Sequence, residues 1–451
     1  MAERILFGTD GIRGTANRHP VTPEIAFRLG RAAGHLLRGE SSRARFVIGR
    51  DTRLSGPMLE SALVAGLNST GADVLLAGVV PTPAVACLVK ELGANGGIVI
   101  SASHNPAADN GLKLFGADGY KLPDEIEERL EQLILTPEID AIRPEGSGIG
   151  TVSTITDAGE RYGRIAKASV PGMSLHGLRI AVDCANGAAF RTTPSVLRDL
   201  GAELVLFQAE PDGMNINAGC GSTHPEEIAR LVKESGAHLA LSHDGDADRL
   251  VLCDELGEVV DGDEILAITA LDALRRGILA GKTLVATVMS NFGLDDCLAA
   301  EGGKVLRTAV GDRYVVEAMR AGNFSIGGEQ SGHLIFRDHG TTGDGLLAAL
   351  QVLRVITESG KPLSELRRVL KKYPQAQRNL RVKEKPSLDS LPEVAHLVSA
   401  TESALAGKGR VLLRYSGTEP KVRLLIEGPD EAVINAAADA IASALIVAIG
   451  E

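Results

Sequence analysis

Gly97-Ile98-Val99-Ile100-Ser101-Ala102-Ser103-His104-Asn105-Pro106 decides how the rest of the chain is read. The first four residues make a short apolar run suited to a buried strand, and Asn105-Pro106 is a turn dipeptide. Ser103 therefore falls where a strand gives way to a loop, which is where α/β folds carry reactive groups. Two readings stand: a serine nucleophile beside His104, or a turn serine that bonds only to its own backbone.

Outward from this stretch, helical periodicity and strand-like runs alternate almost throughout, the pattern of βαβ units on parallel sheet. Thr22 reads as the N-cap of a helix reaching Leu37, followed by a strand at 45–48, a helix at 57–68 and a strand at 74–77. Glycines 146, 148, 150 and 159, with Pro171-Gly172, predict a linker over 145–175. A second unit opens with the strand 179–182, and a third begins near Gly257. Lys361-Pro362 and a basic helix through Lys372 lead into a smaller unit read as strand, helix, strand, turn, strand, helix. The expected fold is three similar α/β units plus a smaller C-terminal α+β unit, divided as 1–155, 156–256, 257–370 and 371–451. Three units of similar size suggest duplication, without a strong internal repeat in the residues themselves.

At 451 residues the chain is too long for one hydrophobic core. Lys plus Arg number 47 against 58 Asp plus Glu, a formal charge of −11 that argues against nucleic acid or an anionic membrane as partner. Aromatic residues are 3% and Trp is absent, so a sugar here would be gripped by polar groups. Five dispersed cysteines form no C-x-x-C pair, and a reducing cytoplasm is the expected compartment. No run approaching a membrane span is expected.

Four further loops carry chemistry. Asp244-Gly-Asp-Ala-Asp-Arg249 places three carboxylates at alternate positions after an apolar run, able to converge on one hard cation. The D-x-D-x-D spacing, with Glu255 twelfth, also suits an EF-hand calcium loop; Arg249 in place of the turn glycine and strand-like flanks on both sides speak against it. Magnesium, which takes few protein oxygens and expects a phosphate partner, matches better. Arg414-Tyr-Ser-Gly-Thr-Glu-Pro420 with Arg423 combines guanidinium groups, hydroxyls and a glycine turn into an anion cradle. Gly328-Glu-Gln-Ser-Gly-His333 offers Glu329 and Ser331 to sugar hydroxyls or an amine, and His333 to a phosphate or a proton. Phe7-Gly-Thr-Asp-Gly-Ile-Arg-Gly14 and Asp109-Asn-Gly-Leu-Lys113 supply Arg13 and Lys113, cations that could offset phosphoryl charge. Taken alone, each loop also has a plain structural reading as a solvated turn, a hairpin or a surface charge.

Together, and in this order, the five loops resemble those of the α-D-phosphohexomutases, over essentially the whole chain. Gly8 to Asn17, Cys220-Gly-Ser-Thr-His224, Val310-Gly-Asp-Arg-Tyr314, Gln330 and Gly417 to Pro420 resemble the bacterial phosphoglucosamine mutase branch most. The resemblance implies four domains around a central cleft. It implies that Ser103 carries a phosphoryl group and that Asp244, Asp246 and Asp248 hold Mg²⁺ together with that phosphoserine. Arg13 and Arg249 would flank the phosphoryl group, His104 would position the serine, and Lys113 and His333 would move protons. Glu329 and Ser331 would bind the sugar, and Arg414, Ser416, Gly417, Thr418 and Arg423 its nonreacting phosphate. The implied reaction interconverts glucosamine 6-phosphate and glucosamine 1-phosphate through a glucosamine 1,6-bisphosphate that is also the activator, supplying amino-sugar and cell-wall precursors. A homodimer is implied too, and a bisphosphate, autophosphorylation or a kinase would first load Ser103. The rival readings are a phosphomannomutase or phosphoglucomutase, a metal-dependent phosphatase, and a non-catalytic sugar-phosphate sensor.

Overall fold

The computed structural model describes residues 5–8, 10–41, 43–416 and 420–450. Three of its four sheets repeat one plan. In the first, the strands Asp73–Val79, Arg45–Arg50 and Gly96–Ile100 lie parallel in that spatial order, and Asp109–Gly116 returns antiparallel beside the last of them. In the second, Glu203–Phe207, Arg179–Asp183 and Leu239–Ser242 are parallel and Val251–Asp254 returns. In the third, Lys304–Thr308, Thr283–Thr287 and Ile326–Gly328 are parallel and Leu334–Phe336 returns. The suggested duplication is thus legible in topology, although wholly parallel sheet is not what forms. Each unit folds its fourth strand back as a hairpin, which needs no helical crossover.

That hairpin places the chemistry. The serine loop, the aspartate loop and the Glu329 to His333 loop are the same connection in the three sheets, from the third strand to the returning one. In the last unit Gln375–Arg381, Lys421–Glu427 and Arg410–Tyr415 form an antiparallel sheet, and the arginine loop again joins two adjacent strands.

Local signals agree with most of the expected elements. Thr22 Oγ1 accepts from the Ile25 amide and caps the helix Pro23–Leu36, with Pro23 in its first turn. Asp261 and Glu264 form a reciprocal capping box on the helix Gly262–Arg275. Three expectations change. The region 145–175 is not a linker: Val152–Thr154 joins the first sheet, and the helix Ala158–Ala168 buries Tyr162 and Ala166. Gly150, Gly159 and Gly163 pack closely against neighbouring elements, whereas Gly146 and Gly172 turn the chain at positive φ. The basic segment after Pro362 forms only the short helix Leu363–Leu366 and a 3₁₀ turn at Arg367–Val369. Third, the helix Glu431–Ile449 is, by length and composition, apolar enough to cross a membrane, with mean hydropathy 2.0. Here Ile434, Ala438, Ile441 and Leu445 pack with Val422, Leu424 and Ile426 of the sheet, while Asp439 binds Arg378. Its exposed positions mix alanines with Val433, Ile446 and Val447, and are interrupted by Asp439 and Ser443.

One apolar core runs through the first three units, from Val47 through Leu239 to Leu353. It encloses the helix Gly345–Ser359, whose residues 345 to 356 are all buried. The last unit has its own core. Among the described residues, its hydrogen bonds to the third unit run to Glu264, Ser290, Asn291, Phe292 and Asp296.

Candidate active site

Ser103 is 1% exposed and adopts a φ of +53°, a left-handed conformation unusual for a residue with a Cβ. Its surroundings over-determine that conformation. The Ser103 amide donates to Ser101 Oγ at 3.0 Å, and the Ser103 carbonyl accepts from Arg53 Nη2 at 3.0 Å and Asn217 Nδ2 at 2.9 Å. Arg53 is fully buried and binds the loop from within: it donates to the carbonyls of Asn105 at 2.8 Å, Asp109 at 3.0 Å and Pro106. Its own charge is met by Asp51 at 2.9 Å, which in turn accepts from Ser101 Oγ at 2.5 Å. Strain of this kind, held by a rigid frame, is what a preorganised nucleophile needs.

The hydroxyl of Ser103 donates to Asp244 across the junction between the first and second sheets. Gly245 allows that approach, because a Cβ there would lie 2.6 Å from the Ser103 carbonyl. Asp244, Asp246 and Asp248 are all buried, with ligand oxygens within 4.8 Å of one another. Burial, and then the two neighbouring carboxylates, push Asp244 well above the ordinary carboxylate range. Oδ1 of Asp246 and Oδ1 of Asp248 are buried and accept no hydrogen bond from the described residues. Three convergent carboxylates with two unsatisfied oxygens fit a divalent cation, which would relieve both the repulsion and the orphaned lone pairs. Calcium in an EF-hand does not fit. Strands flank the loop on both sides, and Glu255 is turned away to accept from the Ser364 amide and hydroxyl. His243 fixes the loop from below, donating to the Arg249 carbonyl from Nδ1 at 3.0 Å and accepting from Thr193 at Nε2. Burial holds this imidazole neutral, with a pKa lowered to about 4.

Lys113, 1% exposed, donates to Asp246 at 2.8 Å and lies 3.5 Å from Asp248 and 3.3 Å from Asp10. Burial opposes its charge, but these three carboxylates outweigh burial and raise its pKa. Thr82 Oγ1 adds a 2.6 Å bond to Asp246. His333 stands with Nδ1 3.6 Å from Asp248 and Nε2 3.5 Å from Asp312. Burial favours its neutral form and the carboxylates its charged form, with the balance above the ordinary value. The Gly343 amide donates to Nε2 at 3.1 Å, so this geometry is that of a neutral ring with its proton on Nδ1. His104 Nδ1 lies 3.5 Å from Ser103 Oγ, and burial followed by Arg249 and Arg13 lowers its pKa to about 4. A neutral neighbour of the serine is a positioning group. Arg249 sits beside the triad with its Nε 4.0 Å from Asp248, while Arg13 reaches the cluster through Asp10.

Glu329 accepts from the Gly311 amide at 3.2 Å, and Ser331 is exposed on the same loop. Arg414 and Arg423 are directly opposite each other on paired strands. They line a cavity of about 280 Å³ with Gln377, Asn379, Lys421 and Met289. Burial and then Arg423 lower the pKa of Arg414, two like charges held side by side across the paired strands. Ser416 is buried and its amide donates to the Lys421 carbonyl at 2.8 Å. Gly417 and Thr418 lie outside the described residues. The structure therefore brings Ser103, His104, Lys113, Arg13, the three aspartates, Arg249 and His333 into one cluster, and sets the arginine pair in a second cavity on the last unit. Sequence reasoning missed Asp10, Asp51, Arg53, Thr82, Asn217, Lys121 and Asp312. A charged pair directly after a strand, as in Arg50-Asp-Thr-Arg53, is the one signal that could have pointed to the buried frame.

Similarity to known proteins follows the same division. Models of the phosphoglucomutase/phosphomannomutase family match residues 4–139 as alpha/beta/alpha domain I, 164–257 as domain II, 261–373 as domain III and 378–444 as the C-terminal domain. The phosphoglucosamine mutase of Syntrophotalea carbinolica is 54% identical, with 98% of this chain and 97% of that protein covered. A phosphoglucomutase/phosphomannomutase family protein from Burkholderia thailandensis superposes with a TM-score of 0.81 at 26% identity, covering 98% of this chain and 97% of that one. The N-acetylphosphoglucosamine mutase of Aspergillus fumigatus, solved with GlcNAc-6P and magnesium, shares the fold at a TM-score of 0.68 and 19% identity, with 98% and 96% covered. The chain belongs to the phosphoglucomutase/phosphomannomutase family.

Proposed function

We propose that this protein is a phosphoglucosamine mutase, working through phospho-Ser103 to interconvert glucosamine 6-phosphate and glucosamine 1-phosphate. The observation that carries the reading is the juxtaposition of a strained, buried Ser103 with a cation-ready aspartate triad, while a paired-arginine cavity lies on a separately cored unit. Whole-length relatives at about the same identity are phosphoglucosamine mutases, which favours the amino sugar over glucose or mannose phosphates.

Asp244, Asp246 and Asp248 would hold Mg²⁺ together with an oxygen of the phosphoserine. When bound, the cation supplies neutralisation of the phosphoryl oxygens. The chain's own groups do the rest. In the first transfer the bond between phosphorus and Ser103 Oγ breaks and one to O1 of glucosamine 6-phosphate forms, with the hydroxyl proton passing to a base at the cluster. The intermediate, glucosamine 1,6-bisphosphate, turns end for end, and its O6 phosphoryl group returns to Ser103. Lys113 is held protonated by three carboxylates, so in this geometry it acts as a charge stabiliser and proton donor. His333, neutral with Nε2 engaged by Gly343, is the better acceptor once that amide contact loosens. Arg13 and Arg249 flank the phosphoryl group, and Glu329 and Ser331 take the sugar. Arg414, Ser416, Gly417, Thr418 and Arg423 grip whichever phosphate is not reacting.

Movement of the last unit, which carries its own core, would close the arginine cavity over the substrate and exclude water from the phosphoserine. We assign the four units to 1–155, 156–256, 257–370 and 371–451, a homodimer as the assembly, and the cytoplasm as the compartment that suits five cysteines without a disulfide. First loading of Ser103 would come from the bisphosphate, autophosphorylation or a kinase. The test is turnover of glucosamine, glucose and mannose 6-phosphates with Mg²⁺ and a 1,6-bisphosphate. Preference for glucosamine 6-phosphate is expected, and a clear preference for a neutral sugar would replace this reading with a phosphogluco- or phosphomannomutase.

A further inference from the structure

Six side chains outside and inside the cluster form a closed ring in which negative groups alternate with basic ones. From Asp248 Oδ2 the ring passes to Lys113 Nζ at 3.5 Å, and from there to Asp10 Oδ2 at 3.3 Å. Asp10 binds Lys121 Nζ through its other oxygen, and Lys121 donates to Asp312 Oδ2 at 2.6 Å. Asp312 lies 3.5 Å from His333 Nε2, and His333 Nδ1 closes the ring 3.6 Å from Asp248. Asp10, Lys113 and Lys121 belong to the first unit, Asp248 to the second, Asp312 and His333 to the third. No motif read from the sequence includes Lys121, yet it is the member that joins Asp10, just before the strand Ile12–Thr15 that carries Arg13, to the helix Asp312–Gly322.

We propose that Lys121 is a positioning residue for phosphoryl transfer, which by binding Asp10 and Asp312 together fixes Lys113 and His333 over the aspartate loop. The proposal rests on the mutase reading above. Lys121 is not a surface lysine swept in by chance. Its side chain is 16% exposed, and its backbone bridges to Phe115. The turn it ends is latched to the third unit on both sides. Thr341 Oγ1 donates to the Gly119 carbonyl at 2.5 Å, Arg320 lies 4.3 Å over the Tyr120 ring, and Arg313 donates to Glu127 at 2.9 Å. Burial works against the Lys121 charge, but Asp10 and then Asp312 more than restore it.

Removing the ammonium takes away the cation that Asp10 and Asp312 share. Asp10 would then rely on Arg13 and Lys113, drawing Lys113 away from Asp246 and Asp248, while Asp312 would be left to His333 alone. Lys113 and His333 would both shift relative to the reacting oxygens. The arginine cavity, where the nonreacting phosphate would be held, contains none of the ring residues. The loss should therefore appear in the chemical step and not in ground-state binding.

The test uses full-length protein with glucosamine 6-phosphate, Mg²⁺ and a 1,6-bisphosphate, and compares Lys121→Met, Lys121→Arg, Asp312→Asn and the Lys121→Met/Asp312→Asn pair. Displacements of about 1 Å typically cost about a hundredfold in rate, so Lys121→Met should lower kcat by about 10- to 100-fold with KM changed by less than about threefold. Lys121→Arg, which can still span two carboxylates, should recover most of kcat. The double variant should be no slower than the slower single variant, because one break already opens the ring. Unchanged kcat in Lys121→Met, no recovery with Arg, or multiplying losses in the double variant would each overturn the proposal. Should Lys121→Met not fold, Asp312→Asn opens the same ring and is held to the same kcat and KM criteria. If the wild-type protein ignores glucosamine 6-phosphate, the mutase reading fails, and the ring is tested on whichever hexose phosphate it turns over.

Discussion

Replacing Arg53 with alanine should loosen the serine loop without touching a substrate contact. Arg53 and Asp51 are both fully buried, and breaking such a pair by removing one partner costs about 3 to 5 kcal/mol. The carbonyls of Ser103 and Asn105 would keep Asn217 as a donor at 2.9 and 3.0 Å, but those of Pro106 and Asp109 would lose the guanidinium. Asp51, already raised by burial despite Arg53, would be free to take up a proton, so the lower half of that range is the better estimate. At about 3 kcal/mol, local opening becomes more than about a hundredfold more frequent. Hydrogen–deuterium exchange over 97–110 should show that acceleration, with the second and fourth units unchanged, and mutase turnover should fall in parallel because the left-handed Ser103 backbone is no longer held. Exchange within threefold of wild type, or full activity in a loosened loop, would refute the idea that Arg53 holds the nucleophile.

Arg423→Ala should cost about a hundredfold in kcat/KM, the usual loss of about 3 kcal/mol for one preorganised donor, leaving phosphate on Ser103 unaffected by intact mass. Asp246→Asn should weaken Mg²⁺ activation at least about tenfold, since it removes a charge from the site; activity that survives chelation in the wild type would argue against a resident cation. Asp263 is buried behind the Asn291 amide and its pKa is raised from 3.8 to about 7. Well below pH 3.8 folded and unfolded forms are both protonated; as pH rises from there towards 7 only the unfolded form ionises, so stability is progressively lost. Asp263→Asn should remove that loss, gaining on wild type by an amount on the order of 4 kcal/mol between pH 4 and 7, and parallel urea midpoints across that window would contradict it.

The repeated units were legible as alternating strands and helices, because buried parallel strands write continuous apolar runs such as 97–100 and 239–242. Their hairpin returns were not. Asp109 to Gly116 carries Asp, Asn and Lys among its apolar residues, and nothing local distinguishes a returning strand from a parallel one. The five motif loops gave the transferring group and the triad because those residues act directly and sit together in sequence. The frame around them was hidden for the opposite reason. Arg53 reaches the serine loop across fifty positions and Lys121 reaches Asp312 across 191, so only tertiary structure shows what they hold. Glycine content likewise misled at 145–175, where it marks tight packing against Thr192 and Val196 as well as turns.

Whether Ser103 stores and passes on the phosphoryl group is read by rapid-quench mixing of protein phosphorylated on Ser103 with glucosamine 6-phosphate and Mg²⁺. Label from phospho-Ser103 should appear first in glucosamine 1,6-bisphosphate, with glucosamine 1-phosphate following and Ser103 rephosphorylated, and Ser103→Ala should form neither. Release of the label as inorganic phosphate ahead of any bisphosphate, or wild-type mutase turnover by Ser103→Ala, would contradict it.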